Sequence, residues 1–306
     1  MSHKPVLYKE IIHALQPRSG GRYVDGTLGA GGHARGILEA CTPDGQLLGL
    51  DVDPQALALS RETLAPYAEG GRTHLVQASY ITITQQLATL KWDFVDGIVL
   101  DLGASSMQFD NAERGFSFMQ DGPLDMRFGS NAFQSAEDIV NKYDERDLSD
   151  LIFRYGEDRD ARRIAKAIVM NRPLRTTREL VAVIEKASPR RGDRTHPATQ
   201  TFQALRIAVN EELASVESVL PQAVAVLRSG GRCAVISFHS LEDRIVKDYF
   251  REQSKELVNP PYERIYEVER KAVIEIINKK PIVASDEEVK DNPRARSAKL
   301  RVIEKL

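Results

Sequence analysis

Asp25-Gly-Thr-Leu-Gly-Ala-Gly-Gly-His33 carries the densest chemical signal in the chain. A short apolar lead-in, Tyr23-Val24, runs into a turn with four glycines in the seven residues Gly26–Gly32, then into a helix-forming run from Ala34 to Ala40. A second apolar run, Leu47-Leu48-Gly49-Leu50, ends in Asp51. A glycine-rich strand-to-helix turn, followed about twenty residues later by an acid, is how an α/β sheet holds a nucleoside. The glycines let backbone approach the ligand, and the acid accepts hydrogen bonds from both ribose hydroxyls.

Three cofactors compete for such a turn. A nucleoside triphosphate loop needs Gly-Lys-Ser/Thr, which is absent. A nicotinamide dinucleotide prefers Gly-x-Gly-x-x-Gly, a spacing that Gly29-Ala30-Gly31-Gly32-His33 does not supply. S-adenosylmethionine carries a free ammonium that needs an acid or carbonyls, and Asp25 stands where the first strand ends. A fourth apolar run, Val95–Leu100, leads into Asp101-Leu-Gly-Ala-Ser-Ser-Met-Gln108. Polar residues directly after a central strand sit at a catalytic rim. Amino-methyltransferases carry an acid or amide there.

These residues need a sheet to position them. Strand signals at Arg22–Val24, Gln46–Leu50, Thr73–Val76 and Val95–Leu100 alternate with helix signals at His33–Ala40, Pro54–Leu64 and Ile83–Leu90. Asp53-Pro54 is a helix start, with Asp as cap and Pro in the first turn. This alternation predicts a parallel sheet with right-handed crossovers. From Ser135 to about Leu227 the signals are helical, with caps at Ser135 and Thr176, a helix end at Gly156 and a stop at Pro173. The spacing of Phe202, Leu205, Val209, Leu213, Val216 and Leu220 predicts one amphipathic helix over Ala198–Leu220, restarted at Pro221. Strand signals return at Arg232–Phe238, a helix at Leu241–Phe250, and a last strand at Ala298–Ile303. The expected fold is α/β, a doubly wound Rossmann-like methyltransferase core with an inserted all-helical domain. Residues 1–109 and 213–306 form the core and 110–212 the insert. An insert that leaves the carboxyl end of a central strand is expected to overhang the ligand edge.

Composition sets outer bounds. The chain has 306 residues, is 42% apolar and carries a net charge of −2. No apolar run approaches the roughly 18–20 residues of a membrane span. Cys41 and Cys233 are isolated, and the six His show no ligand spacing, so a reducing cytoplasm without a structural zinc or other metal is expected. The charge is uneven: from Arg154 to Arg206 there are 13 Lys/Arg against 6 Asp/Glu. A local basic patch attracts phosphates on an otherwise acidic protein, because fields are screened beyond about 10 Å. A second basic cluster, Arg294, Arg296, Lys299 and Arg301, follows an Asn-Pro turn and reads as an exposed loop. His239 reads equally as a buried, satisfied side chain or as a substrate-side group. Phe116, Phe118, Met119 and Met126 read as packing at the neck of the insert.

Several blocks together resemble one family. They are Asp25–His33, Asp101–Gln108, Glu113-Arg-Gly-Phe-Ser-Phe118, Gly122-Pro-Leu-Asp-Met-Arg127, His196-Pro-Ala-Thr199, Ser237-Phe-His-Ser-Leu-Glu-Asp-Arg244 and Asn292–Arg301. In this order, over nearly the whole chain, they are similar to the RsmH (MraW) family of bacterial small-subunit rRNA cytosine-N4 methyltransferases. The resemblance implies S-adenosylmethionine as donor and a decoding-centre cytidine of 16S rRNA as acceptor, presented in the small subunit or a late assembly intermediate. It implies cofactor contacts at Gly31, Gly32, His33, Asp51, Tyr80, Asp101 and Gln108. Tyr80 stands where the family usually has Phe. Asp101 is the expected catalytic residue. The oligomeric state stays open between monomer and homodimer.

Overall fold

The computed structural model describes residues 5–129, 132–189, 196–258 and 268–306. In chain order the elements are α1 (Tyr8–Leu15), β1 (Arg22–Asp25), α2 (Gly32–Ala40), β2 (Gln46–Asp51), α3 (Pro54–Leu64), β3 (Thr73–Gln77), α4 (Ile83–Leu90) and β4 (Val95–Asp101). Then come α5 (Ser106–Asp110), α6 (Ala136–Lys142), α7 (Glu145–Gly156), α8 (Ala161–Met170), α9 (Thr177–Ala187), α10 (Ala198–Asn210) and α11 (Glu212–Val226). The chain closes with β5 (Leu227–Ser237), α12 (Ser240–Gln253), β6 (Leu257–Val258), β7 (Val268–Glu269), β8 (Ile274–Ile276), α13 (Asp286–Asp291) and β9 (Lys299–Lys305). The elements divide into two compact units, Met1–Gly103 with Leu213–Leu306, and Ala104–Glu212.

The first unit is built on a seven-stranded sheet of order β3-β2-β1-β4-β5-β9-β8. β1 to β5 are parallel, whereas β9 runs antiparallel to β5 and β8 antiparallel to β9. Alternation along the strands serves two buried faces. Val24, Leu48, Ile98 and Val235 pack with Ile83 and Leu87 of α4, Val216 and Leu220 of α11, and Phe250 of α12. Tyr23, Leu47, Val99 and Ala234 pack on the other side with Ile11 of α1, Ile37 of α2 and Leu57 of α3. The sheet is therefore doubly wound and Rossmann-like.

The second unit is helical, with a core of Ile139, Leu148, Ile152, Ile164, Ile168, Leu180, Ile184, Phe202 and Leu205. Ser135 and Thr176 close capping boxes on α6 and α9. Phe116 and Met126 are buried, Phe116 stacked on Phe128 at 5.6 Å, and Phe118 stacks on His196 at 4.6 Å. Met119 departs from the packing reading and is 83% exposed.

The single helix expected over Ala198–Leu220 is two helices. Glu211 takes φ +50° between α10 and α11. Arg206 donates twice to Glu212 across the break, at 2.8 and 2.9 Å. Asn210 donates to the Met126 carbonyl and accepts the Phe128 N–H, tying the end of α10 to that segment. The apolar spacing continues through the break, which is why the periodicity hides it. Pro221 does not restart a helix; α11 runs through it. Burial of Val216, Val219, Leu220, Ala223 and Val224 around it offsets an interior proline's cost of about 3 kcal/mol.

Candidate functional site

The parallel register places three acids at one sheet edge. Asp25 pairs in register with Gly49 of β2 and Val99 of β4, so Asp51 and Asp101 each stand two residues beyond it, on neighbouring strands. The loop after β1 continues between those strands: Gly26 N–H donates to the Val99 carbonyl (3.0 Å) and Leu28 N–H to that of Leu50 (2.9 Å). Gly26 has no room for a side chain, since a Cβ would fall 2.5 Å from Leu100 Cδ2 and 3.1 Å from Tyr80 Cβ. Gly31 is the cap of α2 at φ +83°, a conformation that favours glycine, and no side chain caps the helix there.

Asp51 shapes the loop as well as ending β2. Its Oδ2 accepts from Gly29 N–H and its Oδ1 from Asp53 N–H, both at 2.8 Å. Each oxygen keeps a second lone pair for a ligand hydroxyl. Burial raises its pKa above the ordinary carboxylate value against the pull of those amides. Asp53, in turn, caps α3 through Gln55 N–H.

Asp25 is 1% exposed. Its Oδ1 accepts from Thr27 N–H at 3.2 Å, and its Oδ2 has no hydrogen-bond partner among the described residues. Burial first, then the neighbouring Asp101 and Asp51, push its pKa up to about 6, although His33 and the Thr27 amide pull the other way. Asp101 N–H donates to Thr27 Oγ1 at 2.6 Å. The Asp101 carboxylate lies 3.6 Å from His33 Nε2 through Oδ2, while Oδ1 is buried with no partner among the described residues.

These residues fit S-adenosylmethionine. A buried carboxylate with an orphaned oxygen suits the ammonium. The uncapped start of α2, at Gly31, Gly32 and His33, suits the carboxylate. Asp51 suits the ribose. Tyr80, half-buried in a short helical turn after β3, has its Cβ beside Gly26 and packs against the core of the sheet, and an aromatic residue at this place suits the adenine. Thr27 is a site residue that sequence reasoning misses, although Thr inside a glycine turn is a signal: its hydroxyl ties Asp101 to the loop.

The remaining expected groups sit differently. Gln108 belongs to the second unit, where it is buried and its Oε1 accepts from Ser105 N–H at 2.9 Å in a capping box on α5. His239 caps α12, its Nδ1 accepting from Glu242 N–H at 3.4 Å. The exposed basic loop expected at Arg294–Arg301 is only half that. Arg294 and Arg296 are exposed, but Lys299 and Arg301 lie in β9, and Arg301 is buried against Asp243. In the second unit Arg172 donates to the carbonyls of Val140 and Tyr143, and Arg206 to Glu212, so both serve the fold. Arg159, Arg162, Arg163, Lys166, Arg175 and Arg178 are exposed. Arg190, Arg191 and Arg194 lie outside the described residues.

No described helix is long and apolar enough to cross a membrane. Residues 1–306 match the model of the MraW methylase family. The chain is 51% identical over 304 residues to "Ribosomal RNA small subunit methyltransferase H" of Dehalococcoides mccartyi, covering 99% of this chain and 86% of the relative. It is 51% identical over 315 residues to the protein of the same name from Geobacter sulfurreducens, covering 100% and 99%. A solved structure of an rRNA methylase from Streptococcus thermophilus aligns over 100% of this chain and 99% of its own, at 10% identity and a TM-score of 0.44, a distance at which likeness says nothing of chemistry. On the match over its full length and on the identity to these relatives, the chain belongs to the MraW methylase family.

Proposed function

We propose that this protein transfers a methyl group from S-adenosylmethionine to the N4 amine of a decoding-centre cytidine in 16S rRNA. The relatives' shared name supports small-subunit rRNA as the acceptor, and the motif resemblance supports cytosine N4. The observation that carries the reading is Asp101: a carboxylate at the rim of a central strand, beside the donor loop, with one buried oxygen left without a partner among the described residues.

In this reading Gly31, Gly32 and the backbone of His33, with Asp25, Asp51 and Tyr80, hold the donor. When bound, S-adenosylmethionine supplies an electrophilic methyl group on a sulfonium. The chain's task is alignment. The lone pair of the cytosine amine is delocalised into the ring. The Asp101 carboxylate accepts from its N–H and favours the pyramidal, nucleophilic nitrogen. No strong base is needed, because that proton becomes acidic as the new bond forms. The cytosine leaves its stack to reach the rim, and exposed Arg and Lys of the second unit hold phosphates.

The test is direct. Purified protein is incubated with labelled donor and small subunits that lack the mark, and the methylated nucleoside is identified by mass spectrometry. N4-methylcytidine supports the reading; label on another base, or on DNA alone, overturns it.

A further inference from the structure

The ring of His33 stands apart from the backbone of the donor loop that carries it. It is the second residue of α2 and only 5% exposed. Neither ring nitrogen has a hydrogen-bond partner among the described residues, which is costly for a buried polar ring. The groups around it are mostly acidic: Asp101 from β4, Asp25 from β1 and Glu288 from α13. From α1 the ring of Tyr8 stacks on it at 6.4 Å. A neutral imidazole would gain little from this setting. An imidazolium is compensated on several sides, and its Nε2 already stands 3.6 Å from Asp101 Oδ2.

We propose that His33 is a positioning residue that, as an imidazolium, engages Oδ2 of Asp101 and so fixes the orientation of that carboxylate toward the acceptor amine. The proposal rests on the reading of Asp101 given above. The carboxylate is held from two sides: Oδ2 faces the ring, and the Asp101 backbone N–H donates to Thr27 Oγ1, while Oδ1 is buried with no partner among the described residues. Contacts of this kind are long before the substrate arrives and shorten in the reacting complex. The direction of the His33 pKa agrees. Burial opposes the charge, but Asp101, Asp25 and Glu288 outweigh it and leave the pKa raised.

The first test uses the donor-free protein with nitrogen-15-labelled histidine, the His33 signal being identified by its loss in His33→Gln. The expected result is a charged His33 ring at pH 7 whose titration midpoint falls in Asp101→Asn. A ring that is neutral at pH 7, or one whose titration ignores Asp101→Asn, overturns the proposal. The second test is a double-mutant cycle at saturating donor. His33→Gln is expected to lower kcat on the order of 3- to 100-fold, the coupling range for contacting residues, with little change in donor KM. In the Asp101→Asn background the same change should cost almost nothing. Losses that multiply overturn the proposal. If Asp101→Asn methylates at the parent rate, the reading of Asp101 itself falls and takes the proposal with it, whereas an uncoupled titration overturns the proposal alone. Should His33→Gln fail to fold, the titrations of the parent and Asp101→Asn, with the signal identified by sequential assignment, still decide.

Discussion

Arg301 Nε donates to Asp243 Oδ1 at 2.7 Å, with both side chains nearly buried, and Lys299 Nζ stands 3.3 Å from the other oxygen. The pair joins β9, the antiparallel strand, to α12. Burial disfavours the Asp243 carboxylate, but Arg301 and Lys299 outweigh that and hold its pKa below the usual value. Arg301→Ala leaves a buried carboxylate facing Lys299 alone. It is expected to cost about 3 kcal/mol, the low end for orphaning a buried charge, measured by urea denaturation. RNA affinity should be unchanged, since this arginine is a clamp within the fold. A stable variant that binds RNA poorly would return Arg301 to the interface.

Asp25 should make the donor-free protein less stable as pH rises. Its folded pKa of about 6 lies above the ordinary value of 3.8, so between those values the native state binds the extra proton and stability falls with increasing pH. Asp25→Asn keeps the acceptor for Thr27 N–H and removes the penalty. The variant should gain on the order of 2–3 kcal/mol over the parent at pH 7, with the gain vanishing near pH 4. It should also bind S-adenosylmethionine more weakly. Denaturation curves at several pH values, with calorimetry of the donor, check both. A gain that does not depend on pH would mean that Asp25 is not the buried charge described.

Asp51→Ala should weaken donor binding by about 1.5–3 kcal/mol, the value of a hydrogen bond to a charged group. The variant also frees Gly29 N–H and Asp53 N–H, so Asp51→Asn serves as the milder partner. Calorimetry showing donor affinity equal to the parent in both variants would remove Asp51 from the ribose site.

Asp101→Ala should slow methylation about 100–1,000-fold at saturating donor, the loss typical of a positioned electrostatic group. The fold should survive, because Asp101 meets Thr27 through its backbone N–H, which alanine retains. A near-parent rate would take Asp101 out of the mechanism.

On α8, Arg162 and Lys166 lie one turn apart and exposed, and neither has an ion-pair partner among the described residues. The helix itself contains no acid. Replacing both with Ala should lower affinity for small-subunit rRNA and reduce the salt slope of binding by about 1 for each phosphate no longer neutralised. Donor binding should not change. An unaltered salt slope would mark this face as merely solvated.

The strands that carry the candidate site were legible because their signals are local. Short apolar runs ending in Asp25, Asp51 and Asp101 define strands by themselves, and register then brings the acids to one edge. The features that escaped depend on partners far along the chain. The break at Glu211 is set by Asn210 reaching Met126 and Phe128, which no period of three or four reveals. Arg301 looks like any surface cation until Asp243 is placed beside it. α1 escaped because eight residues are too few for a firm period, and its role is to bury Ile11 and Leu15 against the sheet.

The sheet's interrupted chain path also dictates a timetable. β4 ends at Asp101, but its neighbour β5 begins at Leu227, and β9, which lies between β5 and the edge strand β8, is complete only at Lys305. On a ribosome, every residue of the helical unit is made before β4 can pair with β5. That unit is contiguous and has its own core, so it can fold while the half-built sheet still shows an open edge. An open edge of apolar, β-rich sequence is a site for aggregation. Chains halted between Glu212 and Ser237 are therefore the ones expected to need a chaperone.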